Sequence, residues 1–174
     1  FGINTVALVE GQPRTLGLKQ LLEVFLEHRF DVVRRRSVFR RGKAADRLHL
    51  VDGLLVAILD IDEVIQLIRT SENAAEAKER LIQVFDLSDV QATYILDMAL
   101  RRLTKYSRLE LEKRRTELAE TIAQLDAILA DEKLLRQVVS DELAEVAKTY
   151  GSPRRTVLLE SAGQTVTSSV PLEV

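Results

Sequence analysis

Residues 81–104 read LIQVFDLSDVQATYILDMALRRLT and set a compact capped helix between two much longer heptad-patterned segments. Ser88 and Gln91 have the S-x-x-Q spacing of a capping box. In that motif the hydroxyl and the amide each satisfy one backbone N–H that the first helical turn leaves without a partner. A helix is therefore predicted from Asp89. Ala92, Ile95, Leu96, Ala99 and Leu103 recur on one side at helical spacing, while Tyr94 and Met98, four apart, form a second small apolar stripe. A short helix with two apolar faces needs two neighbours, its own domain and something else.

Outward from this segment, both flanks are helical. On the N-terminal side, Leu18, Leu21, Leu22, Phe25 and Leu26 begin a helical pattern that continues to about Ile68, with a bend expected near His28–Asp31. Leu48, Val51, Leu55 and Ile58 step by three and four, the spacing of a coiled-coil seam. Asp60-Ile61-Asp62-Glu63 is an acidic cluster at an expected helix break and is read as capping. Ser71 is read as the N-cap of a further short helix, Ala74–Val84. On the C-terminal side, Leu111, Leu118, Ile122, Leu125 and Leu129 carry a heptad seam that Leu135, Val139, Leu143 and Val146 prolong. Read as one helix, Tyr106–Lys148 would be roughly 65 Å long at 1.5 Å per residue and must bury its seam against a partner. The descending helix is the nearest, so the two are expected to lie antiparallel.

Ile3–Val9 is β-branched and apolar and stops at a Glu10-Gly11-Gln12-Pro13 turn; it is predicted as a strand. The run containing Thr156, Val157, Leu158 and Leu159 is expected to return beside it. The fold class is thus mainly α: long antiparallel coiled-coil arms, a small helical dimerisation tip and a small α/β base. The expected parts are a base at 1–29, a descending helix at 30–68, the tip at 69–105, a returning helix at 106–150, a closing strand at 151–160 and a linker or tail at 161–174.

Composition narrows the function classes. A chain of 174 residues with 46% hydrophobic and 30% charged residues fits one ordinary globular unit. Five percent aromatics, no Trp and seven Gly favour helices over a β-sandwich. The absence of Cys excludes disulfides and thiolate metal sites and is compatible with a reducing cytoplasm, the expected location. No apolar run approaches ~18 residues, so no membrane span is expected. His28 and His49 are the only histidines and lie far apart without a ligand set, so no metal site is expected. No phosphate-binding Gly loop and no G-x-S-x-G elbow occur.

A net charge of −2 carries no overall nucleic-acid signature, so any DNA contact must be local. The one dense basic run is VVRRRSVFRRGK at 32–43, with Arg34, Arg35, Arg36, Arg40, Arg41 and Lys43. Such a run can neutralise phosphates without regard to sequence. It can equally be an ion-paired helix surface, with Glu110, Glu112, Glu117 and Glu120 as partners on the returning helix. Gly42 interrupts it and is a candidate hinge, since Gly in a helix interior costs about 1 kcal/mol relative to Ala.

Taken in order, FGINTVALVEGQPRTLGLKQLL, EHRFDVVRRRSVF, KAADRLHLVDGLLVAI, DEVIQLIRTSENAAEAKERL, LSDVQATYILDMALRRLT and a closing RRT resemble the A subunit of bacterial type IIA DNA topoisomerases, meaning DNA gyrase and topoisomerase IV. The resemblance covers roughly residues 1–158. It implies a tower base, a coiled-coil arm and an exit gate that dimerises through the tip. Dimer-interface residues are then expected at Leu87, Tyr94, Met98 and Arg101, with Ile95 and Leu103 in the core. The other implied partners are a DNA duplex, bordered by the basic run, and the B-type ATPase subunit. Strand cleavage in the family uses a tyrosine of an upstream winged-helix domain. The chain begins at Phe1 without Met and is expected to be a piece lacking that domain, so Tyr94, Tyr106 and Tyr150 are not read as nucleophiles and no catalytic residue is expected. Mg and ATP are expected to act through other domains, with no cofactor in this piece. Two departures from the family pattern are Gly42, where a larger side chain is usual, and Lys105-Tyr106-Ser107, where an acidic residue is lost. The competing reading, from periodicity alone, is an antiparallel coiled-coil spacer or adaptor with no topoisomerase role.

Overall fold

A computed structural model describes residues 2–98 and 108–155. Two short strands, β1 (Val6–Val9) and β2 (Gln12–Thr15), are followed by a long helix α1 (Leu18–Leu59) and three shorter helices, α2 (Ile61–Thr70), α3 (Ala74–Phe85) and α4 (Asp89–Leu96). The chain returns through α5 (Arg108–Ala130) and α6 (Glu132–Tyr150). The fold is mainly α, with a small two-stranded sheet at the end of the long arm. Among the described residues, no helix is long and apolar enough to cross a membrane.

The hairpin is tighter than the sequence implied. Val9 pairs with Gln12, so the turn is Glu10-Gly11 alone, and both residues have positive φ, 52° and 78°. That is the two-residue turn whose twist matches the strands, and Gly11 suits its second position. Gln12 and Pro13 therefore belong to β2 and not to the turn. Pro13 is tolerated because a two-stranded ribbon has two free edges. The strand expected from Ile3 begins at Val6. Residues 151–155 form no strand, and the run expected to close the base beyond them lies outside the described residues.

Helix α1 starts at Leu18, where the helical pattern of the sequence begins, and runs without interruption past His28–Asp31 and through Gly42 to Leu59, about 63 Å at 1.5 Å per residue. The helix is unbroken across His28–Asp31, where Phe30 and Val33 pack with Leu135 and Val139 of α6. The break expected at the acidic cluster falls at Asp60, but Asp60 makes no side-chain capping bond; Asp62 and Glu63 instead sit in the first turn of α2. There, carboxylates oppose the positive end of the helix dipole. The N-cap of α3 is Asn73, whose side chain accepts from Glu76 N at 2.9 Å, and not Ser71, whose hydroxyl donates back to Leu67 O. The returning arm is not one helix: Asp131 interrupts it, accepting from Lys133 N at 2.8 Å as the N-cap of α6.

Two apolar clusters hold these elements together. The larger lies where the tip helices meet α1 and α5, and includes Leu54, Val64, Leu81, Leu87, Ile95 and Leu111. The smaller consists of Val33, Leu135 and Val139, with Phe30, Ile128, Val138 and Leu143 against it. α5 packs along α1, with Arg115 on Asp52 and Arg41 on Asp126. From one pair to the next, each helix advances eleven residues in the opposite chain direction. That equal stepping is the register of an antiparallel pair.

Candidate functional site: the capped tip and the basic arm

The S-x-x-Q motif makes both bonds of the capping box. Ser88 N donates to Gln91 Oε1 at 2.9 Å, and Gln91 N donates to Ser88 Oγ at 3.3 Å. The remaining capacity of both side chains is spent on α1. Gln91 Nε2 donates to the backbone oxygen of His49 at 2.6 Å, and Ser88 Oγ lies 2.6 Å from His49 Nε2. Gln91 is buried. It can sit there because residue 53 is Gly: a Cβ at that position would lie 2.8 to 3.0 Å from the Gln91 side chain. Lys78 on α3 adds an ion pair to Asp89 at 2.5 Å. The tip helix is thus fixed at its N-terminus by a satisfied polar network and along its inner face by Ala92 and Ile95.

The other face of α4 is open. Val90 is 61% exposed and Tyr94 39%. Four residues apart, they form one stripe. Leu87, expected on that face, is instead 5% exposed inside the core, because the left-handed Asp86 turns the chain inward between α3 and α4. A buried Leu87 has no surface to offer a second copy. Met98 packs against the same core, and Arg101, like Leu103, lies outside the described residues. Val90 joins Tyr94 on the exposed side of α4, Met98 is partly buried beyond its end, and Ile95 is in the core as expected.

The basic run faces two ways. Arg35 pairs with Asp31 one turn back at 2.7 Å, and Arg41 crosses to Asp126 at 2.9 Å. Arg36 and Arg29 both grip Glu142 on α6, Arg29 at 3.0 Å. The hydrogen bond from Arg36 holds the Glu142 carboxyl below the ordinary value of 4.5; burial opposes this, and the charges of Arg36, Arg29 and Arg40 support it. The Asp126 hydrogen bond and charge raise Arg41. Lys43 stands over the Phe39 ring at 5.9 Å. Among the described residues, Arg34 and Arg40 make no ion pair. The partners seen are Asp31, Asp126 and Glu142; of the expected glutamates, Glu112 pairs with Arg108 and Glu117 with Lys113 within α5. Gly42 has nothing within 4 Å of where a Cβ would stand, so no contact demands glycine there.

The chain matches the family described as the DNA gyrase/topoisomerase IV A subunit over residues 1–144. It is 49% identical over 156 residues, 90% of its length, to the DNA gyrase A subunit of Staphylococcus aureus strain MRSA252. It is 46% identical over 159 residues, 91% of its length, to the DNA gyrase A subunit of Lawsonia intracellularis strain PHE/MN1-00. The chain belongs to the DNA gyrase/topoisomerase IV A subunit family. It spans about a fifth of the length of these relatives, 18% and 19% respectively.

In this gyrase-family chain, three structural contacts escaped the sequence reading. His49 offers no motif, yet it braces the cap of α4 from α1. Gly53 stands among strong helix formers, and that conflict with propensity is the one signal that could have marked a close helix approach. Glu142 could not be found, since its partnership with Arg29 and Arg36 depends on the register of two helices more than a hundred residues apart.

Proposed function

We propose that this chain is the coiled-coil arm and exit gate of a type IIA topoisomerase A subunit, an enzyme that passes one DNA duplex through a double-strand break in another. The family match supports the enzyme, and the open Val90–Tyr94 stripe on a firmly seated helix supports the gate. A two-fold interface is self-complementary, so one such stripe can meet its own copy. In this reading the tip dimerises, holds the complex closed while DNA is cut elsewhere, and opens to release the transported duplex. The B-type ATPase subunit, ATP and Mg act through other parts of the cytoplasmic holoenzyme, and this segment supplies no catalytic residue.

The arm guides DNA electrostatically and without sequence preference. Ion pairs already occupy Arg35, Arg36 and Arg41, so Arg34, Arg40 and Lys43 carry most of the salt-sensitive attraction. Gly42 softens the arm as a hinge. Grafting this chain onto a gyrase A subunit in place of its own matching region tests the proposal. Retained DNA cleavage and strand passage in the graft is the expected result. A folded graft that cleaves DNA but passes none overturns it.

A further inference from the structure

The two seams of the arm differ in charge. Helical spacing places Arg41 and Asp52 on one side of the buried line through Ala44 and Val51, and Arg40, Lys43 and Arg47 on the other. The first seam is closed by Arg41–Asp126 and Arg115–Asp52. Along the second, α1 and α5 leave a groove of about 550 Å3 whose apolar lining includes Phe39, Leu118, Leu125 and Ile128. Among the described residues, Arg40, Lys43 and Arg47 line the same groove and no acidic side chain does. Within that same set, none of these three cations makes an ion pair. Of the apolar residues lining it, Phe39 is 66% exposed, with Val38 exposed beside it.

We propose that this groove is a docking site for an acidic amphipathic helix of a partner protein, which would add a third helix to the two-helix arm. Along α1 the groove runs from Phe39 to Arg47, about 12 Å, enough for two to three turns of an incoming helix. Apolar residues three and four apart would cover Phe39, Leu118 and Leu125, and flanking carboxylates would meet Arg40, Lys43 and Arg47. DNA passing along the arm would meet the charged heads of Arg40 and Lys43, as proposed above, without entering the groove. Phosphates would satisfy the cations but gain nothing from the aromatic and aliphatic lining, which would stay wet. The excess of one sign on this seam selects acidic partners over basic ones, because like charges set side by side repel.

The test uses the whole 174-residue chain. Its probe is a labelled helical peptide with leucines three and four apart over three turns, flanked by glutamates. Fluorescence anisotropy is expected to give micromolar binding. Phe39→Ala and the double variant Lys43→Glu/Arg47→Glu should each weaken it at least tenfold, with circular dichroism unchanged because these side chains are exposed. A twin peptide with lysine for every glutamate should bind at least tenfold more weakly than the acidic one. Equal binding of the twins, or binding indifferent to the groove variants, overturns the proposal. So does a duplex oligonucleotide that binds in a Lys43- and Arg47-dependent way when the acidic peptide does not.

Discussion

The two ends of the arm are built on different physics. Near the tip, α1 is held by an extended apolar cluster in which Leu54, Leu81, Ile95 and Leu111 are nearly or fully inaccessible, and the cap of α4 is tied to it by a satisfied polar network. Toward the base, among the described residues, three buried side chains, Val33, Leu135 and Val139, form the core cluster, and Glu142 bridges Arg29 and Arg36 beside it. Burying one aliphatic side chain is worth about 1.5–3 kcal/mol, whereas a partly exposed ion pair contributes about 0–1 kcal/mol. The tip is therefore expected to behave as a rigid unit and the base end as the compliant one. That division suits a gate that must open as a body on an arm that must give.

Charge in the tip core should have the largest effect. Ile95→Glu places an unpaired carboxylate among Leu54, Leu81 and Leu87 and should cost several kcal/mol, about 4 or more, unfolding the tip as read by thermal circular dichroism. Gly53→Val should cost about 2–3 kcal/mol, because the new Cβ collides with the buried Gln91 side chain, and hydrogen exchange should quicken first in α4. Equal exchange throughout would break the claim that α1 and α4 are locked at this point. At the other end, Leu135→Ala should cost about 2–3 kcal/mol and open α6 while leaving tip protection intact.

Acid should separate the two ends. The Glu142 carboxyl is held below its ordinary value in the folded state, so its stabilisation is fully present above 4.5 and is lost as pH falls through the lower folded value. Protection of α6 should therefore fall on acidification below that point, while α4 holds. In Glu142→Gln this selective loss should disappear, at the expense of weaker α6 protection at neutral pH. The smallest effect is expected for Arg35→Ala, whose exposed pair with Asp31 is worth about 0.3–0.5 kcal/mol.

Most of the helical order was legible in the chain, and the reasons are local. The Ser88 capping box fixed the start of α4, and the spacing of Leu111 and Leu135 identified faces that are indeed buried. The boundaries that failed depend on competition between neighbours. Asn73 displaced Ser71 as a cap, and Asp131 broke a seam whose apolar spacing carried on through it. The expected Tyr94–Met98 spacing is interrupted for a different reason. Helical spacing alone placed Met98 beside Tyr94, but α4 ends at Leu96, so Met98 lies past that helix and packs partly buried against the core. Partners across the arm, such as Glu142 for Arg36, follow from a register that pattern cannot supply.

Sedimentation of the chain beside its Tyr94→Glu variant tests the gate most directly, with circular dichroism as the check on folding. Tyr94 is 39% exposed at the rim of a cavity bordered by Val51, Leu54 and Leu111 and is not among the buried core residues, so the account predicts a dimer for the chain and a helical monomer for the variant. A Tyr94→Glu protein that stays dimeric with unchanged helix content would contradict it.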